Sequence, residues 1–455
     1  MKDFLAIDIG ASSGRHILGR MEAGKLVLEE IYRFPNAPKR VNGHLVWDVD
    51  SLFEEILAGM KKAGEMGRAP ESVGIDTWGV DYCLLDKNYG RIGEAFCYRD
   101  SRTEEVIPEV HARIPFASLY EKTGIQFASF NTIYQLYSDK VSGKLNKAEH
   151  MLMLPDYFHF LLTGKLSREY TNAATTGLVS AIPRTWCGEI TSALGFPDKL
   201  FPQTSPSGTV LGELKKDIQS IVGYNAKVVL PATHDTASAV VASLAEEGTP
   251  YISSGTWSLL GIVSKAPRTD EKSLLFNYSN EGHIGHKVRF QKNIMGLWLI
   301  QQIRREAAEH LSFAQLTALA KDNPTDCRID VNDARFLAPA NMLREVQSAA
   351  GKNLSLGEAA YCVLASLACG YRDAVLQLQS VTGEKYTDLN VMGGGSQNRL
   401  LNELTARETG LKITVGPVEA TAIGNLLVQM SSAGELDIKS SKQLVKKSFE
   451  TEEII

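Results

Sequence analysis

Short apolar runs separated by turn residues fill the first part of the chain. Phe4 to Ile9 is apolar except for Asp8, and the turn formers at positions 10–14 separate it from the run Arg15 to Leu18. A further strand-like run, Leu26 to Phe34, follows. Because short, closely spaced apolar runs bounded by turn formers are typical of neighbouring strands, the pattern predicts an antiparallel meander.

Helical spacing begins soon after this meander. Apolar residues recur with a helical period over positions 52–60, which predicts an amphipathic helix. Asp50 or Ser51 is expected as its N-cap. A short strand over Ser72 to Asp76 follows, and strands and helices then alternate through residue 245. This alternation favours an α/β fold in which helices cover a mixed sheet.

A polar segment rich in turn formers, Ala245 to Pro250, is interpreted as a domain boundary. Directly after it, Tyr251 to Gly261 repeats the layout of Leu5 to Leu18: an apolar strand, a tight turn of small residues, and a second apolar strand. The match lies in pattern more than in identity. It suggests a duplicated fold with a cleft, whose halves, 1–245 and 246–455, each open with a hydroxyl-rich hairpin.

Composition and charge narrow the class of protein. The chain has 455 residues, 44% hydrophobic and 22% charged, as ordinary soluble proteins do. With 48 Lys and Arg against 53 Asp and Glu, the net charge of -5 predicts no nucleic-acid or membrane partner. We expect a cytoplasmic protein without membrane spans. The six cysteines are scattered, the N-terminal apolar run is short, and the longest stretch without charges is rich in polar residues. Monomer and homodimer both stay open.

The common nucleotide-binding loops are absent from the sequence. No Gly-Lys pair is followed by Ser or Thr, and no Gly-x-Gly-x-x-Gly occurs. The turn at 10–14 offers another way to hold phosphate, because converging N–H groups, small hydroxyl side chains and Arg15 all bind anions. Asp8 stands at a strand end that suits a hydrated Mg²⁺. An ordinary hairpin turn explains the same residues equally well.

A second candidate site follows the apolar strand Val228 to Leu230. The strand leads to His234 and Asp235 at the start of a helix of small residues. A carboxylate at such a strand end suits general-base work on a hydroxyl group. The alternative is that Asp235 merely caps the helix, which in isolation is the more common explanation for such a residue.

A third candidate is the run Gly393 to Gly395, which ends the strand-like segment Leu389 to Met392. An amphipathic helix follows it. Consecutive glycines let a flat ring or a phosphate lie against the backbone and leave N–H groups free at a helix start. Because three glycines also carry a large entropy cost, a binding site is favoured over a flexible connection.

In this order the motifs resemble those of the FGGY carbohydrate kinases, relatives of actin, hexokinase and the Hsp70 ATPases. The resemblance covers nearly the whole chain. It is carried by the runs Asp8–Arg15, Gly74–Asp81, Tyr98–Arg102, Gly124–Phe127, Phe130–Thr132, Met153–Phe158, Leu162–Gly164, Tyr170–Ala173, Ser253–Ser258, Lys292–Trp298, Gly393–Gly395 and Gly416–Ala420.

The resemblance implies a two-lobed actin/hexokinase-like (ribonuclease H-like) α/β fold, duplicated, with a central cleft. It also implies that ATP phosphorylates a sugar. The forms of Trp78–Asp81 and of Thr171–Asn172 point, within the family, to O1 of L-rhamnulose. Another ketose or polyol, such as L-fuculose or xylulose, remains an alternative substrate. A non-catalytic ATP- or sugar-binding regulator is an alternative from a different class.

Single residues receive roles from the same resemblance. Asp235 would be the catalytic base, and Asp8 would lie close to Mg²⁺ through water. The ATP-binding residues would be Ala11, Ser12, Ser13, Gly14, Arg15, Thr256, Gln301 and Gly394. The sugar-binding residues would be Gly79, His234, Asp235, Thr236 and Asn293.

Overall fold

A computed structural model describes residues 2–337 and 339–455. Its strands are β1 (Phe4–Ile9), β2 (Ser13–Glu22), β3 (Lys25–Pro35), β4 (Lys39–Val41), β5 (His44–Trp47), β6 (Ser72–Thr77), β7 (Tyr82–Leu85), β8 (Ala95–Phe96), β9 (His150–Met153), β10 (Val210–Glu213), β11 (Lys227–Val229), β12 (Tyr251–Ser254), β13 (Trp257–Ser264), β14 (Ser279–Gly282), β15 (Val288–Met295), β16 (Asp388–Met392), β17 (Lys412–Val415) and β18 (Glu452–Ile454).

The α-helices of the described residues range from one turn to 27 residues. They are α1 (Val49–Glu65), α2 (Ile107–Arg113), α3 (Phe116–Thr123), α4 (Thr132–Val141), α5 (Leu154–Thr163), α6 (Tyr170–Ala173), α7 (Gly188–Leu194), α8 (Lys216–Val222), α9 (Asp235–Val241), α10 (Glu271–Leu275), α11 (Trp298–Ala307), α12 (Phe313–Asp322), α13 (Met342–Ala350), α14 (Leu356–Thr382), α15 (Arg399–Thr409), α16 (Ala420–Ser432) and α17 (Ser441–Ser448).

Two compact units make up the chain. The first unit comprises Met1–Ala242, Ser264–Phe290 and Thr421–Ser448, and the second comprises Ser243–Val263, Gln291–Ala420 and Phe449–Ile455. The chain thus returns to the first unit twice after leaving it. The predicted domains were consecutive halves that meet at residue 245. The compact units differ from these halves because two later segments belong to the first unit, so the predicted boundary remains a prediction.

The first unit is built on a mixed sheet with the order β10-β11-β6-β1-β2-β3. Strand β1 pairs antiparallel with β2 and parallel with β6, and β2 pairs antiparallel with β3. The predicted N-terminal meander and the predicted mixed sheet are therefore confirmed. The apolar face of α1 is buried in the same core as the β1 side chains Leu5 and Ile7.

One detail of α1 was predicted wrongly. The helix begins at Val49, and its N-cap is Asp48 rather than Asp50 or Ser51. The Asp48 side chain accepts a hydrogen bond from the Ser51 N–H at 3.1 Å, which satisfies one of the unpaired donors of the first turn. Apolar spacing locates a helix well but leaves its first residue uncertain by one or two positions.

The second unit repeats the local plan of the first. Strand β12 pairs antiparallel with β13 and parallel with β16, and β16 pairs parallel with β17. A buried strand with an antiparallel partner on one side and a later parallel strand on the other therefore occurs in each unit. The predicted second hairpin and the predicted duplicated α/β fold are confirmed.

Helix α14 bears on the expectation that the chain has no membrane span. By length and composition alone it could cross a membrane, although it contains Glu358, Arg372 and Asp373. However, 67% of its most apolar stretch is buried inside the protein, as is typical of a core helix. The six cysteines, all within the described residues, are free thiols.

Candidate active site

The hairpin between β1 and β2 presents unpaired backbone donors at its tip. Gly10 N–H donates to the Ser13 carbonyl at 2.9 Å, and the Asn36 side chain donates to the Gly10 carbonyl at 2.9 Å. The N–H groups of Ala11 and Ser12 find no acceptor among the described residues. A tight turn that is fixed by such hydrogen bonds and has free N–H groups at its tip is suited to binding an anion such as phosphate.

Gly14 is required for packing beside this turn. A Cβ atom at Gly14 would lie 2.1 Å from the ring of Phe34, so a larger residue does not fit without movement of that ring. The glycine therefore keeps β2 close to β3 at the base of the hairpin. This packing role is independent of the ATP contact that the resemblance implies for Gly14.

Carboxylates cluster where β1 and β6 end. Asp8 accepts hydrogen bonds from Arg15 Nε at 3.0 Å and Nη2 at 2.9 Å, and it pairs in register with Asp76 on the parallel strand. Asp76 is fully buried: its Oδ2 accepts from Asn425 at 2.6 Å, and its Oδ1 has no partner. Burial, and then the negative charge of Asp8, raise the pKa of Asp76 well above its usual value.

Asp235 is the first residue of α9, with His234 in the N-cap position. Its Oδ1 accepts from the Thr236 N–H at 2.5 Å and the Thr236 hydroxyl at 3.2 Å, and lies 3.4 Å from His234 Nε2. Among the described residues no hydrogen bond reaches Oδ2. Burial, and to a lesser extent the charge of Asp8, raise the pKa of Asp235. The group is thus held through one oxygen and open at the other.

A buried glutamate fixes the segment that precedes Asp235. Glu169 accepts hydrogen bonds from the backbone and hydroxyl of both Thr171 and Thr233, at 2.6 to 3.2 Å. The Thr171 hydroxyl in turn accepts from the His234 N–H at 3.3 Å. Sequence reasoning missed Glu169, although the adjacent run from Tyr170 to Ala173 carries part of the family resemblance.

Gly79 lies in a turn held by a second buried carboxylate. Asp81 accepts from the indole N–H groups of Trp47 at 2.7 Å and Trp78 at 2.9 Å, and burial raises its pKa to about 6. A Cβ at Gly79 would lie 3.1 Å from the Thr175 side chain, so the position tolerates little beyond glycine. The turn is thus tightly packed on both sides of Gly79, and its sugar-binding role stays a prediction.

The predicted site residues are divided between the two units. Asp8, the hairpin at 11–15, Gly79 and the run 234–236 belong to the first unit. The second unit contains Thr256 at the tip of the β12–β13 hairpin, Gln301 on α11, Gly394 after β16 and Asn293 on β15. Their roles remain predictions.

The three glycines after β16 differ in what surrounds them. A Cβ at Gly393 would lie 2.9 Å from the Ser254 carbonyl oxygen, and one at Gly395 would lie 2.1 Å from the Ser254 hydroxyl. A Cβ at Gly394 would meet nothing within 4 Å. Two of the glycines therefore allow close packing against β12, and Gly394 alone of the three faces open space.

Family models match almost all of the chain. The N-terminal domain model of the FGGY family of carbohydrate kinases matches residues 4–242, and the C-terminal domain model matches residues 250–433. The chain belongs to the FGGY family of carbohydrate kinases. An ATP-dependent sugar kinase is thereby indicated, and the expectation from the motifs is confirmed at the level of the family.

Curated relatives are similar over nearly their full length. A protein named rhamnulokinase from Oceanobacillus iheyensis is 44% identical over 98% of this chain and 97% of its own. A rhamnulokinase from Halalkalibacterium halodurans is 46% identical over 99% of this chain and 98% of its own. The rhamnulokinase of Bacillus subtilis is 41% identical over 98% and 94%.

Solved structures of other sugar kinases share the fold at low identity. A xylulose kinase from Lactobacillus acidophilus superposes with a TM-score of 0.80 at 16% identity, covering 98% of this chain and 92% of that one. A gluconate kinase from the same organism gives 0.81 at 16% identity, with 97% and 92% covered. At such low identity these likenesses establish the architecture and nothing about the substrate.

Proposed function

We propose that the protein transfers the γ-phosphoryl group of ATP to O1 of L-rhamnulose in L-rhamnose catabolism in the cytoplasm. The support for the substrate is the identity of 40–46% to curated rhamnulokinases over nearly the full chain. The support for the chemistry is Asp235, whose Oδ2 is open and whose pKa is raised by burial. A carboxylate in that state is a suitable acceptor for a hydroxyl proton.

In this proposal Asp235 acts on the sugar hydroxyl as its oxygen attacks phosphorus. The O1–H proton moves to Asp235 Oδ2, the O1–P bond forms, and the bond between the γ-phosphorus and the bridging oxygen breaks to release ADP. Thr236 keeps Oδ1 occupied, so the carboxylate has a fixed orientation during the transfer. His234, Thr236, Gly79 and Asn293 would bind the sugar.

The ATP phosphates would lie at the tip of the first hairpin. Free N–H groups at Ala11 and Ser12, with the guanidinium of Arg15, offer donors for the charge that develops during transfer. Ser13, Gly14, Thr256, Gln301 and Gly394 complete the proposed nucleotide contacts.

Mg²⁺ would accompany ATP rather than occupy a resident site. Within the described residues no group of three or more His, Cys, Asp or Glu side chains could hold a metal ion. Asp8 fits a weaker role, because Mg²⁺ bound to nucleotide phosphates keeps several waters and uses one or two carboxylates. The metal, when bound, would offset charge on the phosphates, and Asp8 would contact it through water.

Substrate choice is tested by measuring ADP release with Mg²⁺, ATP and a panel of sugars. The panel contains L-rhamnulose, L-fuculose, D-xylulose, L-xylulose and glycerol. We expect L-rhamnulose to give the highest kcat/KM. A higher value for another ketose or polyol would reassign the substrate within the family, and no turnover with any of them would favour a non-catalytic regulator.

The role of Asp235 is tested by Asp235→Asn, which keeps the size of the side chain and removes its basicity. We expect kcat to fall by about 10²- to 10⁴-fold, the range for loss of general-base catalysis, with ATP affinity nearly unchanged. Titration calorimetry with ATP is the control for folding and nucleotide binding. An Asn variant with native kcat would remove Asp235 from the mechanism.

A further inference from the structure

A buried ion pair, Arg289 with Glu281, lies next to His234, and neither of its residues is among the predicted site residues. Arg289, in the first-unit part of β15, is 0% exposed, and Glu281 on β14 is 6% exposed. Arg289 Nη2 donates to Glu281 Oε2 at 3.0 Å and to His234 Nδ1 at 2.9 Å. Arg289 Nε donates to the Gly282 carbonyl at 3.0 Å. A guanidinium is thereby fixed against the histidine ring.

The direction of the hydrogen bond between Arg289 and His234 is determined by chemistry. A guanidinium has five donors and no acceptor, so His234 Nδ1 accepts and carries a lone pair rather than a proton. In a neutral imidazole the single proton then resides on Nε2. His234 Nε2 is the atom that faces Asp235 Oδ1 at 3.4 Å. The ring therefore presents an N–H to the carboxylate.

Glu281 would favour the opposite arrangement if Arg289 were absent. Its Oε2 lies 3.3 Å from His234 Nδ1 and would accept a proton from that nitrogen. His234 Nε2 would then present a lone pair toward the Asp235 carboxylate, which repels it. Arg289 prevents this by occupying Nδ1 with a donor.

The burial of Arg289 is difficult to explain by stability alone. Its Nη1 has no hydrogen-bond partner although it is shielded from water. A buried donor on a charged group that lacks a partner is costly, and a buried ion pair is weak evidence for stability. Glu281 also neutralises the charge of Arg289, so the guanidinium orients His234 without adding net positive charge beside Asp235.

We propose that Arg289 is a positioning residue that holds His234 in the Nε2–H tautomer, so that His234 turns this N–H toward Asp235 Oδ1, 3.4 Å away, and leaves Oδ2 as the base. The inference rests on the proposed function for the role of Asp235. It adds Arg289 to the residues that affect the rate, whereas Glu281 balances the charge of Arg289. Arg289 itself contacts neither the sugar nor ATP in this proposal.

The tautomer is measured directly by ¹⁵N NMR of histidine-labelled protein, with the His234 signal assigned from its loss in His234→Gln. We expect the native protein to show a protonated Nε2 and an unprotonated Nδ1 at His234. In Arg289→Met the proton should move to Nδ1, and Arg289→Lys, which keeps a donor, should retain the native pattern. A native His234 protonated on Nδ1 would overturn the proposal even if no variant folds.

Kinetics separate positioning from general damage. Arg289→Met should lower kcat by about 10- to 100-fold, as loss of an outer-shell partner does, with the KM for ATP within about two-fold of native. Arg289→Lys should recover most of the rate. Native kcat in a folded Arg289→Met protein would overturn the proposal.

A matched control is Arg102→Met, which removes an arginine with a side chain only 7% exposed from another carboxylate pair in the same unit. Arg102→Met should leave the His234 tautomer native, and a tautomer change there would overturn the special role of Arg289. The tautomer is measured without turnover. If the expected tautomers are found but Asp235→Asn is active, the proposed base is rejected, whereas the control of the His234 tautomer by Arg289 stands.

Discussion

The two units open with hairpins that share a backbone plan and differ in chemistry. In each, a buried strand pairs antiparallel with the next strand and parallel with a later one. Near the turn of the first hairpin the register pairs Asp8 with Arg15, whereas near the turn of the second it pairs Ser254 with Ser258. One hairpin thus carries an ion pair, and the other carries two hydroxyl side chains.

The difference indicates how a duplicated fold divides the work. Arg15 is 24% exposed in its side chain and lies beside free N–H groups, so it remains available to a ligand. Ser258 is fully buried and shares a 2.7 Å hydrogen bond with the hydroxyl of Tyr371, which makes it part of the core. We expect changes in the first hairpin to affect the chemical step and changes in the second to affect stability or nucleotide affinity.

Removing the charge of Arg15 in the first hairpin should have the largest effect on kcat. Arg15→Met should lower kcat by about 10²- to 10³-fold, the loss typical when one donor to developing charge is removed. Ser258→Ala is the matched change in the second hairpin. It should leave kcat within about three-fold and lower the free energy of unfolding by about 1 kcal/mol through loss of its hydrogen bond.

Steady-state kinetics and urea unfolding of the two variants distinguish these outcomes. An Arg15→Met enzyme with nearly native kcat would place the phosphate chemistry elsewhere. A Ser258→Ala enzyme with a similarly large loss of kcat would show that the two hairpins contribute alike.

Acid pH should inactivate the first unit's chemistry. A base with a raised pKa is protonated as the pH falls through that pKa, so kcat should decline about ten-fold per pH unit below it. The acid limb should lie above the ordinary carboxyl value of 3.8. The second hairpin, residues 253–258, contains no ionisable side chain apart from hydroxyls, so it should add no further step to the dependence of kcat on pH. An unchanged limb in the residual activity of Asp235→Asn would assign the titration to another group.

Stability also responds to this raised pKa, in the opposite sense from a salt-bridged aspartate. Because the folded protein favours the protonated form of Asp235, the group's contribution to folding is most favourable below its unfolded pKa. That contribution becomes less favourable as the pH rises through the folded pKa. If Asp235 is the base, acid should therefore lower activity without destabilising the fold at this residue.

Local sequence patterns were sufficient for the hairpins and for the position of Asp235 at a helix start, because each depends on a few adjacent residues; the role of Asp235 stays a prediction. Strand β1, the turn at 10–14 and the strand end before α9 were all visible as short apolar runs followed by small polar residues. Only the exact ends differ, as at Asp48, where a cap depends on side-chain geometry rather than on period.

The contacts around those residues could not be predicted from the sequence, because they are made by segments that are distant along the chain. Asp76 is held by Asn425, which is 349 positions away, and His234 is held by Arg289, which is 55 positions away. No local spacing encodes such contacts. Burial also has no local signature for a charged residue, since Glu169 and Arg289 resemble ordinary surface charges in the sequence.

Glycine-to-alanine changes test whether the two hairpins are packed in the same way. Gly14→Ala would push a Cβ into the Phe34 ring, and Gly395→Ala would push one into the Ser254 side chain. Each should cost about 1–3 kcal/mol of unfolding free energy, the usual cost of overpacking. Urea unfolding measures both.

Second-site changes separate the two cases. Phe34→Leu should rescue Gly14→Ala substantially because it removes the ring atoms that clash. Ser254→Ala should rescue Gly395→Ala in part, since the Ser254 Cβ would still lie 2.8 Å from the new methyl group and Leu297 would lie 2.9 Å from it. Equal rescue in both pairs would contradict the difference in packing.

The smallest change in stability is expected at Gly394, where the second unit faces open space. Because a Cβ there meets nothing within 4 Å, Gly394→Ala should alter the unfolding free energy by no more than about 0.5 kcal/mol. Gly188→Ala, at an exposed glycine of the first unit with equally open surroundings, is the matched control. If the nucleotide lies against Gly394, its variant alone should raise the KM for ATP several-fold at unchanged kcat. An unchanged KM for ATP would show that ATP does not lie against Gly394. The glycines around the second hairpin would then serve packing only.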